Sequence, residues 1–182
     1  MEKRKMYLPP TFTIEFKQIG CLTYQLMTSQ VLPLPRKAAF KFFEDPRNLF
    51  EITPDWLDFK IVNMEEKTKT FEGVKFVYTI KWLGVKLKWQ SKIIDYRPPE
   101  RFTDIQLRGP YSFWRHLHIF EEVPEGTLIR DEVTYKLHFA SKFLHHLIKR
   151  QLYNIFCYRA LRIAEWASGE FRPKLKKQNK GH

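Results

Sequence analysis

Residues 71–94, FEGVKFVYTIKWLGVKLKWQSKII, constrain the fold more than any other stretch of the chain. Val74, Phe76, Tyr78, Ile80 and Trp82 alternate with Lys75, Val77, Thr79 and Lys81. After Leu83-Gly84 the alternation resumes, with Val85, Leu87, Trp89, Ser91 and Ile93 set against Lys86, Lys88, Gln90 and Lys92. A period of two places successive side chains on opposite faces of a strand. A two-residue loop at Leu83-Gly84 pairs Trp82 with Val85, Ile80 with Leu87 and Tyr78 with Trp89. Both apolar faces then fall on one side, with lysines outside and large aromatics inside. The segment reads as an antiparallel hairpin with one buried face.

The elements around it follow from local signals. Residues 1–20 read as an extension ahead of a single domain over 21–170, and 171–182 as a basic tail. TYQLMTSQVLPL (23–34) reads as the first strand, stopped by Pro33 and Pro35. Ala39, Phe40 and Phe43 have helical spacing after Pro35, and Asp45-Pro46 starts a second short helix through Asn48, Leu49, Phe50 and Ile52. Further strands follow Arg97-Pro98-Pro99-Glu100, interrupted at Gly109-Pro110. Pro124-Glu125-Gly126 is a turn, since proline presets the bend and glycine accepts positive φ. Residues 141–171 contain no proline and read as one long helix. Leu144, Leu147, Ile148, Leu152, Ile155, Phe156, Ile163 and Trp166 form its apolar stripe, and Lys149, Arg150, Arg159 and Arg162 its polar side.

FWRHLHIF (113–120) holds the chemistry. On a strand, Trp114, His116, His118 and Phe120 share one face. One register of the return strand (127–139) sets His118 opposite Asp131, His116 opposite Val133 and Trp114 opposite Tyr135. A bulge at Gly126 would bring Glu132 opposite His118 instead. Three readings stay open. As metal ligands, two histidines need at least a third partner, with Asp131 and Asp104 available, and no cysteine cluster helps; the expectation is no metal. As an acid/base site, His116, His118 and Asp131 are the candidate catalytic residues, but no nucleophile motif accompanies them. As pocket lining, they are the few polar groups of an aromatic cavity. The pocket reading is preferred.

A strand, two small helices, an antiparallel meander and a long final helix is the helix-grip order. Through FEDPRNLFEITPDWL (43–57), FTDIQLRGPYSFWRHLHIF (102–120), DEVTYKL (131–137) and IFCYRALRI (155–163), the chain resembles the SRPBCC superfamily of START-related, pollen-allergen-like and polyketide cyclase-like domains. The resemblance covers about residues 23–168. It implies an α+β fold in which a curved antiparallel sheet wraps a long C-terminal helix and encloses a cavity. The residues expected to bind a ligand there are Phe76, Tyr78, Trp82, Trp89, Asp104, Gln106, Trp114, His116, His118, Tyr135, Ile148, Leu152, Ile155 and Phe156. No cofactor is implied. Related domains include carriers, sensors and cyclases, so the resemblance brings no reaction with it.

Composition trims the alternatives. At 182 residues and 43% hydrophobic the chain can bury one substantial core. The net charge is +12, and the tail FRPKLKKQNKGH contributes five cations and no acid. That tail suits weak contact with an anionic membrane surface. The hairpin aromatics lie opposite the lysines, which argues against nucleic acid, because stacking platforms interleave the two. Residues 18–35 are uncharged but too polar to span a membrane. The amino terminus begins basic, yet Pro9, Pro10 and Glu15 interrupt any signal-like apolar run, so the expected location is cytoplasmic. The working expectation is a carrier or sensor of a small hydrophobic or amphipathic molecule. The alternatives are a cyclase, dehydratase or hydrolase using His116, His118 and Asp131 in the same cavity, or membrane-surface or nucleic-acid binding through the basic termini.

Overall fold

The computed structural model describes residues 8–63 and 69–171. The tail from Arg172 onward lies outside them. Eight strands form one antiparallel sheet: β1 (Thr13–Gly20), β2 (Thr23–Leu32), β3 (Lys60–Ile61), β4 (Lys75–Trp82), β5 (Val85–Arg97), β6 (Arg101–Arg108), β7 (Phe113–Val123) and β8 (Gly126–Lys136). Their order across the sheet is β1-β2-β8-β7-β6-β5-β4-β3. Helices α1 (Arg36–Glu44) and α2 (Pro46–Glu51) follow β2, and α3 (His145–Ala167) closes the chain. The curved open sheet, the two short helices and the long final helix make this an α+β helix-grip fold.

One boundary is corrected. Residues 13–20, read from the sequence as extension, form the edge strand β1, paired with β2 from Thr13 opposite Ser29 to Gly20 opposite Thr23. The strand at 23–32 is therefore the second. Ile14 and Phe16 alternate with exposed Thr13, Glu15 and Lys17 but reach only half-burial, and the pattern lapses from Gln18 on. An edge strand gives the hydrophobic pattern little to record.

The hairpin forms with the expected register, Trp82 opposite Val85 and Tyr78 opposite Trp89. Leu83 and Gly84 take φ values of 47° and 87°, the double left-handed conformation of a tight hairpin turn. At the other hairpin, His118 faces Asp131, His116 faces Val133 and Trp114 faces Tyr135. Gly126 does not slip this register. It has φ 133°, and a Cβ there would sit 2.2 Å from the Leu32 carbonyl oxygen. Glycine is needed for close approach, not for a bulge.

Helix α2 starts as the sequence suggests: the Asp45 side chain accepts a hydrogen bond from the Arg47 amide at 3.0 Å, with Pro46 in the first turn. Helix α3 is 23 residues long, about 35 Å. It begins later than expected, after a 3-10 segment over Phe139–Leu144. Ile148, Leu152, Phe156 and Ile163 are buried against the sheet. Leu144 and Leu147, placed on the same stripe by spacing, are 36% and 54% exposed, because Leu144 belongs to the 3-10 segment and Leu147 lies about 100° around the helix from buried Ile148. Arg162, expected on a solvated side, pairs with Glu51 at 3.8 Å and with Glu165, tying α3 to α2.

Candidate functional site

Between the sheet, the α1–α2 pair and α3 lies a cavity of about 180 Å³. Its origin is visible in the rows that cross the sheet. One row runs Ile93, Asp104, His116, Val133; the next runs Phe102, His118, Asp131, Thr28. Ser91 lies fully buried opposite Phe76. Aspartate, serine and threonine sit where neighbouring rows carry aromatic rings. These small side chains cannot reach α3, so space remains between layers.

Of the residues expected to bind, Phe76, Tyr78, Trp82, Trp89, Asp104, Trp114, His116, His118, Leu152, Ile155 and Phe156 line the cavity, as does Asp131. Gln106, Tyr135 and Ile148 do not. Gln106 braces the β6–β7 connection, donating to the Tyr111 carbonyl at 2.7 Å. Tyr135 stacks within an aromatic group with Tyr24, Tyr111 and Trp114. Ile148 packs into that same group, just under one turn before the cavity wall begins on α3 at Gln151.

Arg159 is the residue that the sequence reading misplaces. Its charge puts it on the solvated side of the last helix, yet it lines the cavity beside Asp131 and Phe156. Its position carries the signal: 152, 156, 159 and 163 fall on one helical face. Its residue type overrides that signal. Tyr111, Phe43 and Phe102 also line the cavity, beyond the residues expected there.

The polar groups form one network. Asp131 accepts hydrogen bonds from Thr28 Oγ1 at 3.0 Å and from His116 Nε2 at 2.9 Å. His118 Nδ1 is also 2.9 Å from Asp131 Oδ1, but off the hydrogen-bond direction, so it acts as an electrostatic neighbour. The imidazoles lie 3.8 Å apart, centre to centre. Burial opposes ionisation of Asp131, but its hydrogen bonds and the adjacent imidazoles hold its carboxyl well below the usual range. Burial, then the charge of His118, pushes His116 down to about 3, so it is neutral at pH 7. Asp104 is pushed up to about 6 by burial, against the opposing pull of His118 and Arg159. Tyr78 hydroxyl meets Ser91 Oγ at 3.1 Å, and burial raises its pKa.

His116, His118 and Asp131 present three ligand atoms within 4.8 Å of one another. That donor set matches an open three-ligand metal site in kind. The third ligand that the sequence left undecided is therefore in place. The guanidinium of Arg159 acts on the same Asp131 carboxylate, and a second positive charge there opposes a divalent ion.

No protein-family model matches the chain, and no curated protein matches it. Solved structures do. Protein Ms6760 from Mycobacterium smegmatis superposes with a TM-score of 0.61 at 15% identity, over 87% of this chain and 98% of that one. The helix-grip fold is the one these solved structures share. TTHA0849 from Thermus thermophilus gives 0.61 at 15% identity, covering 79% and 98%. The di-domain ARO/CYC StfQ of the steffimycin biosynthetic pathway gives 0.57 at 12% identity, covering 81% of this chain and 53% of that one. Among the described residues, no helix is long and apolar enough to cross a membrane.

Proposed function

We propose that the protein binds a small amphipathic molecule between the sheet and α3, as a carrier or sensor. The observation that carries this is the cavity itself: aromatic walls enclosing a compact set of polar groups, the composition of a ligand site and not of a filled core. Its size bounds the ligand. A cavity of roughly 150 Å³ holds a benzene ring, whereas drug-sized sites begin near 300 Å³. A single substituted ring or a medium-length chain fits without moving the walls. Removing ~200 Å² of apolar surface from water offers roughly 5 kcal/mol before association costs, which points to apolar binding no tighter than about 0.2 mM.

Native mass spectrometry of gently purified protein tests for a retained ligand. Titration with octanoate or a naphthoic acid, read through quenching of Trp82, Trp89 and Trp114, tests the site directly. Absence of any saturable change with both classes of probe would sink the reading.

A second reading rests on Asp104. A buried carboxyl near pH 6, directly across from a neutral His116 and two strands from an ionised Asp131, is the split pattern of general acid/base groups. Together with the fold shared with an ARO/CYC protein, it supports cyclase- or dehydratase-type chemistry on a bound β-hydroxy carbonyl compound. Turnover of such a compound that disappears in Asp104→Asn while binding persists separates an enzyme from a carrier.

A further inference from the structure

Arg159 has no partner of its own among the described residues. Its Nε is fully buried and unbonded, and its guanidinium carbon sits 5.5 Å from the Phe156 ring centre. The carboxylates of Asp131 and Asp104 act on it through space, but neither forms a contact of 4.0 Å or less with it. Asp131 is already committed to Thr28 and His116. Asp104 keeps an unbonded buried oxygen. A guanidinium whose Nε is withdrawn from water, lining a cavity with no anion bonded to it, is costly. Its planar fork matches a carboxylate better than any neutral group.

We infer that the cavity selects amphipathic carboxylic acids, with the ligand carboxylate seated on Arg159 and its apolar part against the aromatic walls. This rests on the cavity being a ligand site. It adds the head-group chemistry. The aspartate network explains why the arginine stays available. Thr28 and His116 hold Asp131 in place, so it does not close on Arg159 when the cavity is empty.

The test compares octanoate with methyl octanoate and 1-octanol, by calorimetry at pH 7, on the wild type and on Arg159→Met. The wild type should bind octanoate at least tenfold more tightly than the ester or the alcohol. Arg159→Met should bind all three alike, near the wild-type affinity for the ester. Equal binding of acid and ester by the wild type overturns the inference and leaves the ligand-site reading standing, and it does not depend on the variant folding. A preference for acid that survives in folded Arg159→Met assigns the head group elsewhere and overturns the role of Arg159. If none of the three binds, both readings fall.

A second observation stands apart from the cavity. Phe139 and Phe143 are 74% and 82% exposed, Leu147 is 54% exposed, and Lys142 Nζ lies 4.5 Å and 4.8 Å from the two ring centres. From residue 133 to 164 the chain has no acidic residue, while Lys142, Lys149 and Arg150 flank the patch. Exposed aromatics set among cations suit the interface of an anionic bilayer. The structure assigns this 3-10 segment as a membrane-surface contact. Flotation with phosphatidylglycerol vesicles should recover the wild type. Recovery should fall at least fivefold for Phe139→Ser/Phe143→Ser and for vesicles of phosphatidylcholine alone. Equal recovery of variant and wild type overturns it. So does a wild-type dimer in sedimentation that the double variant abolishes, since that assigns the patch to a second copy.

Discussion

Strand β7 crosses two environments that share one alternation and end differently. At Trp114 the inward side chain is locked among rings: Trp89 at 5.1 Å and perpendicular, Tyr111 at 4.9 Å, Tyr135 at 6.3 Å. Two and four residues on, His116 and His118 face open volume beside Asp131 and Asp104. The backbone geometry is the same in both. What differs is whether the neighbouring rows carry rings that reach α3 or small polar groups that stop short. Burial alone therefore says little about packing: Trp114 and His118 both line the cavity and are 8% and 9% exposed, yet Trp114 belongs to a cluster of packed rings while His118 belongs to the polar group.

The largest effect should come from the filled end. Trp114→Ala removes a ring held by several aromatic neighbours and should cost about 3–5 kcal/mol in urea unfolding, in the range of buried aromatic truncations. A cost under about 1.5 kcal/mol would mean that this end is as loosely filled as the middle.

The polar middle should respond to pH with opposite signs at two residues. Asp104 keeps its proton to about pH 6 when folded, while the unfolded chain releases it near 3.8. Stability from this group is thus present at low pH and falls as pH rises from about 4 to 6. At about 1.4 kcal/mol per pKa unit, Asp104→Asn should gain up to roughly 3 kcal/mol at pH 7 and almost nothing at pH 4. His116 behaves the other way. It stays neutral to about 3 when folded and takes a proton near 6.5 when unfolded, so stability falls as pH drops from about 6.5 toward 3. Asp131, held low, adds to that loss below 3.8. In the wild type the two slopes oppose between pH 4 and 6. In Asp104→Asn the His116 slope stands alone, and the urea midpoint should decline more steeply with acid. An unchanged pH profile would remove Asp104 from the buried network.

How much of this is legible in the sequence follows the same division. Strand alternation reveals the hairpin pairing and the inward face of β7, because a period of two survives any choice of side chain. The register that sets His118 against Asp131 is one of two open alternatives, and the two-residue Pro124-Glu125 turn that pairs Val123 with Gly126 fixes it. The cavity position of Arg159 is written in its helical phase but hidden by its charge. Gln106 and Tyr135 have the right parity, but turn bracing and ring stacking take them out of the cavity. Parity tells which face a residue is on, and nothing about how far along the strand the space begins. Strand β1 escapes the sequence reading because its alternation is short: Ile14 and Phe16 are only half-buried, and the pattern lapses from Gln18 on.

The smallest effect on folding is the sharpest probe of the comparison. Ile155 lines the cavity from α3 and is only partly buried. In a filled core, enlarging such a residue to tryptophan forces strain of about 1–3 kcal/mol. Beside a void of about 180 Å³, the indole has room to enter. Ile155→Trp should therefore change stability by less than about 1 kcal/mol, because the added burial offsets the adjustment of neighbouring side chains. The same ring occupies the space a ligand needs, so octanoate affinity should fall at least tenfold by calorimetry. The two readouts must separate: a variant that loses stability and binding together would mean that the space beside Ile155 is already filled, and the distinction between the two ends of β7 would fail.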